Sequence, residues 1–159
     1  MGMIFSYTVL MLVDLKLQSG NLNYGIIAFE LAGNTNSSYE IINYWRENSN
    51  QNLAAFSVGF DYLFIVFYVG FLTLWTSIIA DGFYNKLSNL FAKIVITITI
   101  VAGMFDMIEN YSLIQLLISN HENNWSVLAF YFASAKFIIL AFVVLYNLIF
   151  SLIRRIIRL

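Results

Sequence analysis

Three long apolar runs fill the second two-thirds of the chain, and short polar turns separate them. Residues 53–80 carry a single charge, Asp61. Residues 88–119 carry Lys93 near the start, nothing charged from Ile94 to Phe105, and then Asp106 and Glu109. Residues 125–152 contain Lys136. Each run exceeds the roughly 20 residues a helix needs to cross a bilayer. The turns at 81–86 and 120–124 are too short for anything but antiparallel neighbours. Upstream, Met1 to Val13 is apolar and gives way to Asp14, Leu15 and Lys16. This predicts a first helix over about residues 2–18, barely long enough to span. The alternative is the apolar core of a signal peptide, against which no basic residue precedes the run and no small-x-small site follows it.

Between the first two runs lies a different pattern. Ser19–Tyr24 is a polar Gly/Asn turn. Gly25–Gly33 is apolar except for Glu30, and is too short to cross. Ser37–Glu47 has helical amphipathicity, with Ile41, Ile42 and Trp45 on one side and Glu40, Asn43 and Glu47 on the other. Ser37 and Glu40 have capping-box spacing, and Trp45 suits a headgroup layer. The expected fold is therefore all-α. It is one membrane domain over 1–159, an antiparallel bundle of four transmembrane helices at about 2–18, 53–80, 88–119 and 125–152. An outward segment at about 25–47 lies over it as a lid with a short amphipathic surface helix.

Composition agrees with a membrane protein: 60% of residues are hydrophobic and 11% charged, against about 25% charged in soluble domains. The net charge of −1 offers no basic footprint for nucleic acid. With no Cys, thiolate chemistry, disulfides and lipidation through Cys are excluded; with no Pro, no helix is kinked by proline. The lone His121, followed by Glu122, makes no metal-binding His pair. Lys86, Arg154, Arg155 and Arg158, with Lys93 near them, gather on the face holding both chain ends. The opposite face has Lys16 and Arg46 among acids, so the positive-inside rule puts both termini in the cytoplasm of a multi-pass cell-membrane protein.

The charges inside the runs carry the candidate chemistry. Asp106, Glu109 and Asn110 stand at i, i+3 and i+4, on one helix face. At about 1.5 Å per residue from the outward end, Asp61 lies roughly 12 Å deep, Glu109 roughly 15 Å, Lys136 roughly 17 Å and Asp106 roughly 20 Å. Four ionisable groups from three helices thus share one layer, with Glu30 just above it. An unpaired charge at that depth costs about 2.5–3.5 kcal/mol, so these groups must face one another. Lys136 offsets one carboxylate; the rest need a proton, a cation or water. Tyr68, seven residues after Asp61, points to the same face. Gly59, Gly70 and Gly103 are positions where helices can approach closely.

Taken together, Glu30-Leu31-Ala32-Gly33, Trp45, Asp61 with Tyr68, Asp106-x-x-Glu109-Asn110 and Lys136 resemble a group of small four-helix prokaryotic membrane proteins with no assigned activity. The chain departs from that pattern in its short first helix and in Asn34, where Thr is expected. The resemblance implies that these polar residues form one set.

Two functional readings follow. In the first, Asp61, Asp106, Glu109, Asn110, Lys136, Glu30 and Tyr68 form a pocket opening outward beneath the lid. That pocket binds a cation or a small cationic or polar ligand, or handles protons. A hard divalent cation on Asp61, Asp106 and Glu109 suits the all-oxygen set, although Lys136 competes for the same carboxylates. In the second, the buried charges fix helix register in a structural subunit. Its lipid-embedded exterior would then meet a partner membrane protein or a second copy.

Overall fold

The apolar runs become helices with nearly the expected limits. In the computed structural model, residues 1–19, 22, 24–82, 86–118 and 124–157 are described. They form α1 (Gly2–Leu17), α2 (Ile26–Glu30), α3 (Thr35–Glu47), α4 (Gln51–Ala80), α5 (Lys86–Leu117) and α6 (Trp125–Ile157), with no strand among them. The last helix runs past residue 152 and takes Arg154 and Arg155 into its final turn. His121, Glu122, Arg158 and the side chain of Lys86 lie outside the described residues.

Three helices, α4, α5 and α6, are long and apolar enough to cross a membrane. The expected fourth, α1, has 16 residues and is about 24 Å long, short of a hydrocarbon core of about 30 Å. Its end is set by Asp14. One carboxylate oxygen accepts the Ile26 backbone N–H at 2.6 Å and the other accepts Gln18 Nε2 at 2.6 Å, which turns the chain into α2.

The order of contacts along the helices gives the topology. Asp61 meets Asn110 and Tyr68 meets Asp106, so α4 and α5 are antiparallel. Thr76 meets Asn147 and, further along both helices, the Ile78 carbonyl meets Arg154, so α6 returns parallel to α4. The α1 helix lies antiparallel along α4: the Lys16 carbonyl accepts from Asn50, and Gly2 abuts Phe67. It therefore covers only the half of α4 nearer Gln51.

Two apolar clusters fill the interior. One gathers Leu17, Phe29, Ile41, Ile42, Trp45, Val58, Leu113 and Ala129 at the end covered by α2 and α3. The other holds Ile65, Tyr68, Leu72, Val95 and Val143 deeper in the bundle. Hydroxyls inside the helices are satisfied locally: Thr76, Thr99 and Ser112 donate to the carbonyl four residues back.

Several details depart from expectation. The cap of α3 is Asn34 rather than Ser37; its side chain accepts the Ser37 N–H at 2.9 Å. Glu40 instead accepts from Tyr24 Oη at 2.6 Å. Gly33, at φ +70°, makes the turn that precedes this cap. The apolar side of α3 rests on the protein rather than on a headgroup layer. Trp45 is fully buried, stacked edge-on with Phe29 at 5.1 Å, and donates to the Tyr24 carbonyl at 2.8 Å. Of the three glycines expected at close approaches, Gly59 and Gly70 face open space. A Cβ on Gly103 would lie 2.7 Å from Val69 Cγ2 and 3.5 Å from Ile65 Cγ2.

This contrast is testable by thermal unfolding in detergent. Gly103→Ala should destabilise by about 1–3 kcal/mol, because Val69 is β-branched and yields little. Adding Val69→Ala should recover part of the loss, while Gly59→Ala should be neutral or stabilising by up to about 1 kcal/mol. Equal behaviour of the two glycine variants would show that α4 and α5 do not meet at Gly103.

Candidate functional site

The polar layer sits between the two apolar clusters, where four helices converge. The i, i+3, i+4 spacing on α5 turns Asp106, Glu109 and Asn110 inward together. The α6 helix approaches them through two fully buried small residues, Ala129 and Ala133, and places Lys136 less than one turn further on. The α4 helix contributes Asp61 and, two turns later, Tyr68. Glu30 is the last residue of α2, so the α1–α2 turn carries it down onto the layer.

Lys136 is the centre. Its Nζ lies 2.7 Å from Asp106 Oδ1, 2.8 Å from Glu109 Oε2 and 3.6 Å from Glu30 Oε2. The same Nζ lies 4.9 Å from the Phe137 ring centre. Tyr68 Oη donates to Asp106 Oδ2 at 2.9 Å, and Asn110 Nδ2 donates to Asp61 Oδ2 at 2.6 Å. All seven predicted residues are thus brought to one place. Asp106, Glu109, Asn110, Lys136, Glu30 and Tyr68 are buried, and Asp61 is partly exposed.

The charges do not balance. Four carboxyls surround one ammonium, a formal −3. Glu30, which lies outside the long helices, carries the imbalance most visibly. Burial raises its carboxyl to about 7; Lys136 opposes the rise, Asp61 and Asp106 add to it, and Glu109 opposes it. Its Oε2 has no hydrogen-bond partner although the residue is only 8% exposed. Both Glu109 oxygens are also without a well-directed donor; Lys136 is close to Oε2 but off the hydrogen-bond direction.

Five of these residues, Glu30, Asp61, Tyr68, Asp106 and Lys136, line one cavity of ≈ 480 Å³, while Glu109 and Asn110 stand behind them. The cavity lies beneath the α2 part of the expected lid, whose Ile26, Ile27 and Glu30 line it, and runs along α4 between α1 and α6. Beneath α3 the bundle is closed by Leu17, Phe29, Ile42 and Trp45, all almost fully buried.

A divalent cation fits this arrangement poorly. Lys136 Nζ already occupies the gap among Glu30, Asp106 and Glu109, where a metal would sit against an ammonium. Among the described residues, no three His, Cys, Asp or Glu side chains are grouped to hold a metal ion.

Two features were not anticipated. Asp14 lines the cavity while closing α1. The half of the bundle away from α3 has a buried polar pair, Thr76 Oγ1 and Asn147 Oδ1, 3.0 Å apart. Lys93 and Asn89 are exposed. Asn147 lies eleven residues after Lys136, on the same helix face, which is the signal that could have found it. In comparisons with known proteins, no family model, no curated protein and no solved structure matches this chain.

The ion pairs also join α5 to α6, which can be measured. Lys136→Met should destabilise by about 3–5 kcal/mol, because it strands Asp106 and Glu109 without a counter-charge. Adding Asp106→Asn and Glu109→Gln should restore most of that stability. A single variant as stable as the parent in thermal unfolding would mean that Lys136 does not compensate these carboxylates.

Proposed function

We propose that the chain is a multi-pass membrane protein whose carboxylate-lined cavity binds a small organic cation, an amine or ammonium group. In this reading α4, α5 and α6 cross the bilayer and α1 is embedded beside them as the fourth helix. The Arg154 and Arg155 end and both termini face the cytoplasm of a cell membrane. The Lys136 layer then lies in the outward half. The resemblance to small four-helix prokaryotic membrane proteins belongs to this reading, since it groups the same side chains.

The observation that carries it is Glu30 Oε2: buried, without a hydrogen-bond partner, on the wall of a cavity beside three further carboxyls and one lysine. A bound ammonium supplies the missing donors and the missing charge. Asp61, partly exposed on the same wall, is the second anchor. Asp106 and Glu109 are held by Lys136, with Tyr68 and Asn110 fixing Asp106 and Asp61. An ammonium is preferred to a hard divalent cation because it tolerates Lys136 as a neighbour.

A second reading, in which the cluster is a register lock for a structural subunit, is favoured by the 2.7 and 2.8 Å contacts of Lys136 with two residues of α5. The two are compatible, as the lock uses Asp106 and Glu109 and leaves Glu30 and Asp61 for a ligand. A partner membrane protein or a second copy would meet the apolar exterior.

Butylamine titrated into the purified chain in lipid nanodiscs tests the proposal by thermal stabilisation. Glu30→Gln or Asp61→Asn should abolish the shift while the protein still folds. The pH dependence has a definite sign. Protons compete with the ligand for Glu30, whose carboxyl titrates at about 7, so affinity should rise as pH increases from 5 to 8. Below that value the slope for one displaced proton is about tenfold per pH unit. Unaltered binding in both carboxylate variants would sink the ligand reading and leave the lock.

A further inference from the structure

The cavity is polar at one end only. On α4 its lining runs Asp61, Phe64, Tyr68, Phe71, Leu72 and Trp75, one helix face over about 21 Å. On α1 it continues through Met3, Tyr7, Leu10 and Met11 to Asp14, and on α6 from Lys136 through Leu140 to Val144. Because α1 is antiparallel to α4, the charged residues of all three helices fall together beneath α2, and everything beyond Tyr68 is apolar. The slot is also open sideways. The α1 helix packs chiefly on α4 and stops near Phe67, leaving its flank apart from α6. Lining residues on both sides of that gap remain exposed, Tyr7 at 56% and Val144 at 38%. Phe137, Leu140 and Val144 continue from the slot into an apolar groove on the outer side of α6.

We infer that the ligand is a single-chain cationic amphiphile, which enters sideways from the bilayer between α1 and α6. Its ammonium rests at Glu30 and Asp61, and its alkyl chain lies along α4 toward Trp75. This rests on the cation-binding reading above and adds the chain and the route. The charge surplus selects the head: a carboxylate or phosphate would meet four carboxyls. Tyr7 and Phe64, 6.3 Å apart between ring centres, line the same slot as Asp61 and offer π faces to a cation. The plugged α3 end leaves the lateral gap as the way in. The volume, ≈ 480 Å³, lies within the roughly 300–1,000 Å³ of small-molecule sites.

The full chain in phosphatidylcholine nanodiscs is titrated with butylamine, octylamine, dodecylamine and dodecanoate, with thermal stabilisation as the readout. Affinity should rise with chain length, by about tenfold or more from butylamine to dodecylamine, and dodecanoate should give no shift. Leu140→Trp, which fills the slot one turn beyond Lys136, should erase the gain from the chain. A chain-length gain that is the same in Leu140→Trp as in the parent would overturn the inference while the amine site stands. Failure of every amine to bind would remove both. An independent measurement guards against a variant that does not fold: ω-bromododecylamine should quench the protein's fluorescence, and Trp75→Phe should remove most of that quenching. Quenching unaffected by Trp75→Phe would place the chain elsewhere.

Discussion

One ammonium holds this structure together in its middle. Lys136 reaches from α6 to two carboxylates on α5 and to Glu30 at the end of α2, and no other cation enters the layer among the described residues. Everything around it is arranged by the need to keep that charge away from hydrocarbon. The apolar cluster under α3 seals one side, the cluster around Ile65 and Val143 seals the other, and Tyr68 and Asn110 use the hydrogen-bonding capacity that the ion pairs leave over. A buried ion pair seldom contributes net stability once desolvation is counted. Its value here lies in specificity: only one rotation and one depth of α6 bring Lys136 between Asp106 and Glu109.

Much of this could be read from the chain because membrane-length helices impose a ruler. Residue number converts to depth, so Asp61, Asp106, Glu109 and Lys136 could be assigned to one layer before their partners were known, and the i, i+3, i+4 spacing fixed their face. Glu30 was harder, since it depends on the turn made by Asp14 with the Ile26 N–H. That contact spans twelve residues and leaves no periodic trace. The limits of α1 were legible, about 2–18 against Gly2–Leu17, but its length falls short of the three candidate spans, so the expected count of four transmembrane helices is not met.

Other misreadings came from assigning lipid or solvent to faces that meet protein. Trp45 was placed at a headgroup layer on residue type alone, but its ring closes the end of the bundle against Phe29. A lid with an empty underside and a plug with a filled one have the same amphipathic pattern. The glycines were legible only by class. Nothing in the sequence separates Gly103, which meets Val69, from Gly59, which meets nothing.

The sharing of the ion pairs between consecutive helices has a consequence for biogenesis. Under the proposed membrane placement, α6 presented alone to the insertion machinery carries an unpaired lysine near its middle, and α5 alone carries two unpaired acids, each at about 2.5–3.5 kcal/mol. Their partners lie on adjacent helices joined by a short connection. The favourable route is for α5 and α6 to enter the bilayer as one hairpin, with Lys136 meeting Asp106 before either faces lipid. An insertion assay in which α6 integrates equally well with and without α5 would argue against that route. On this view the lysine acts first in assembly, and the surplus acid it leaves uncompensated is what the finished protein has available for a ligand.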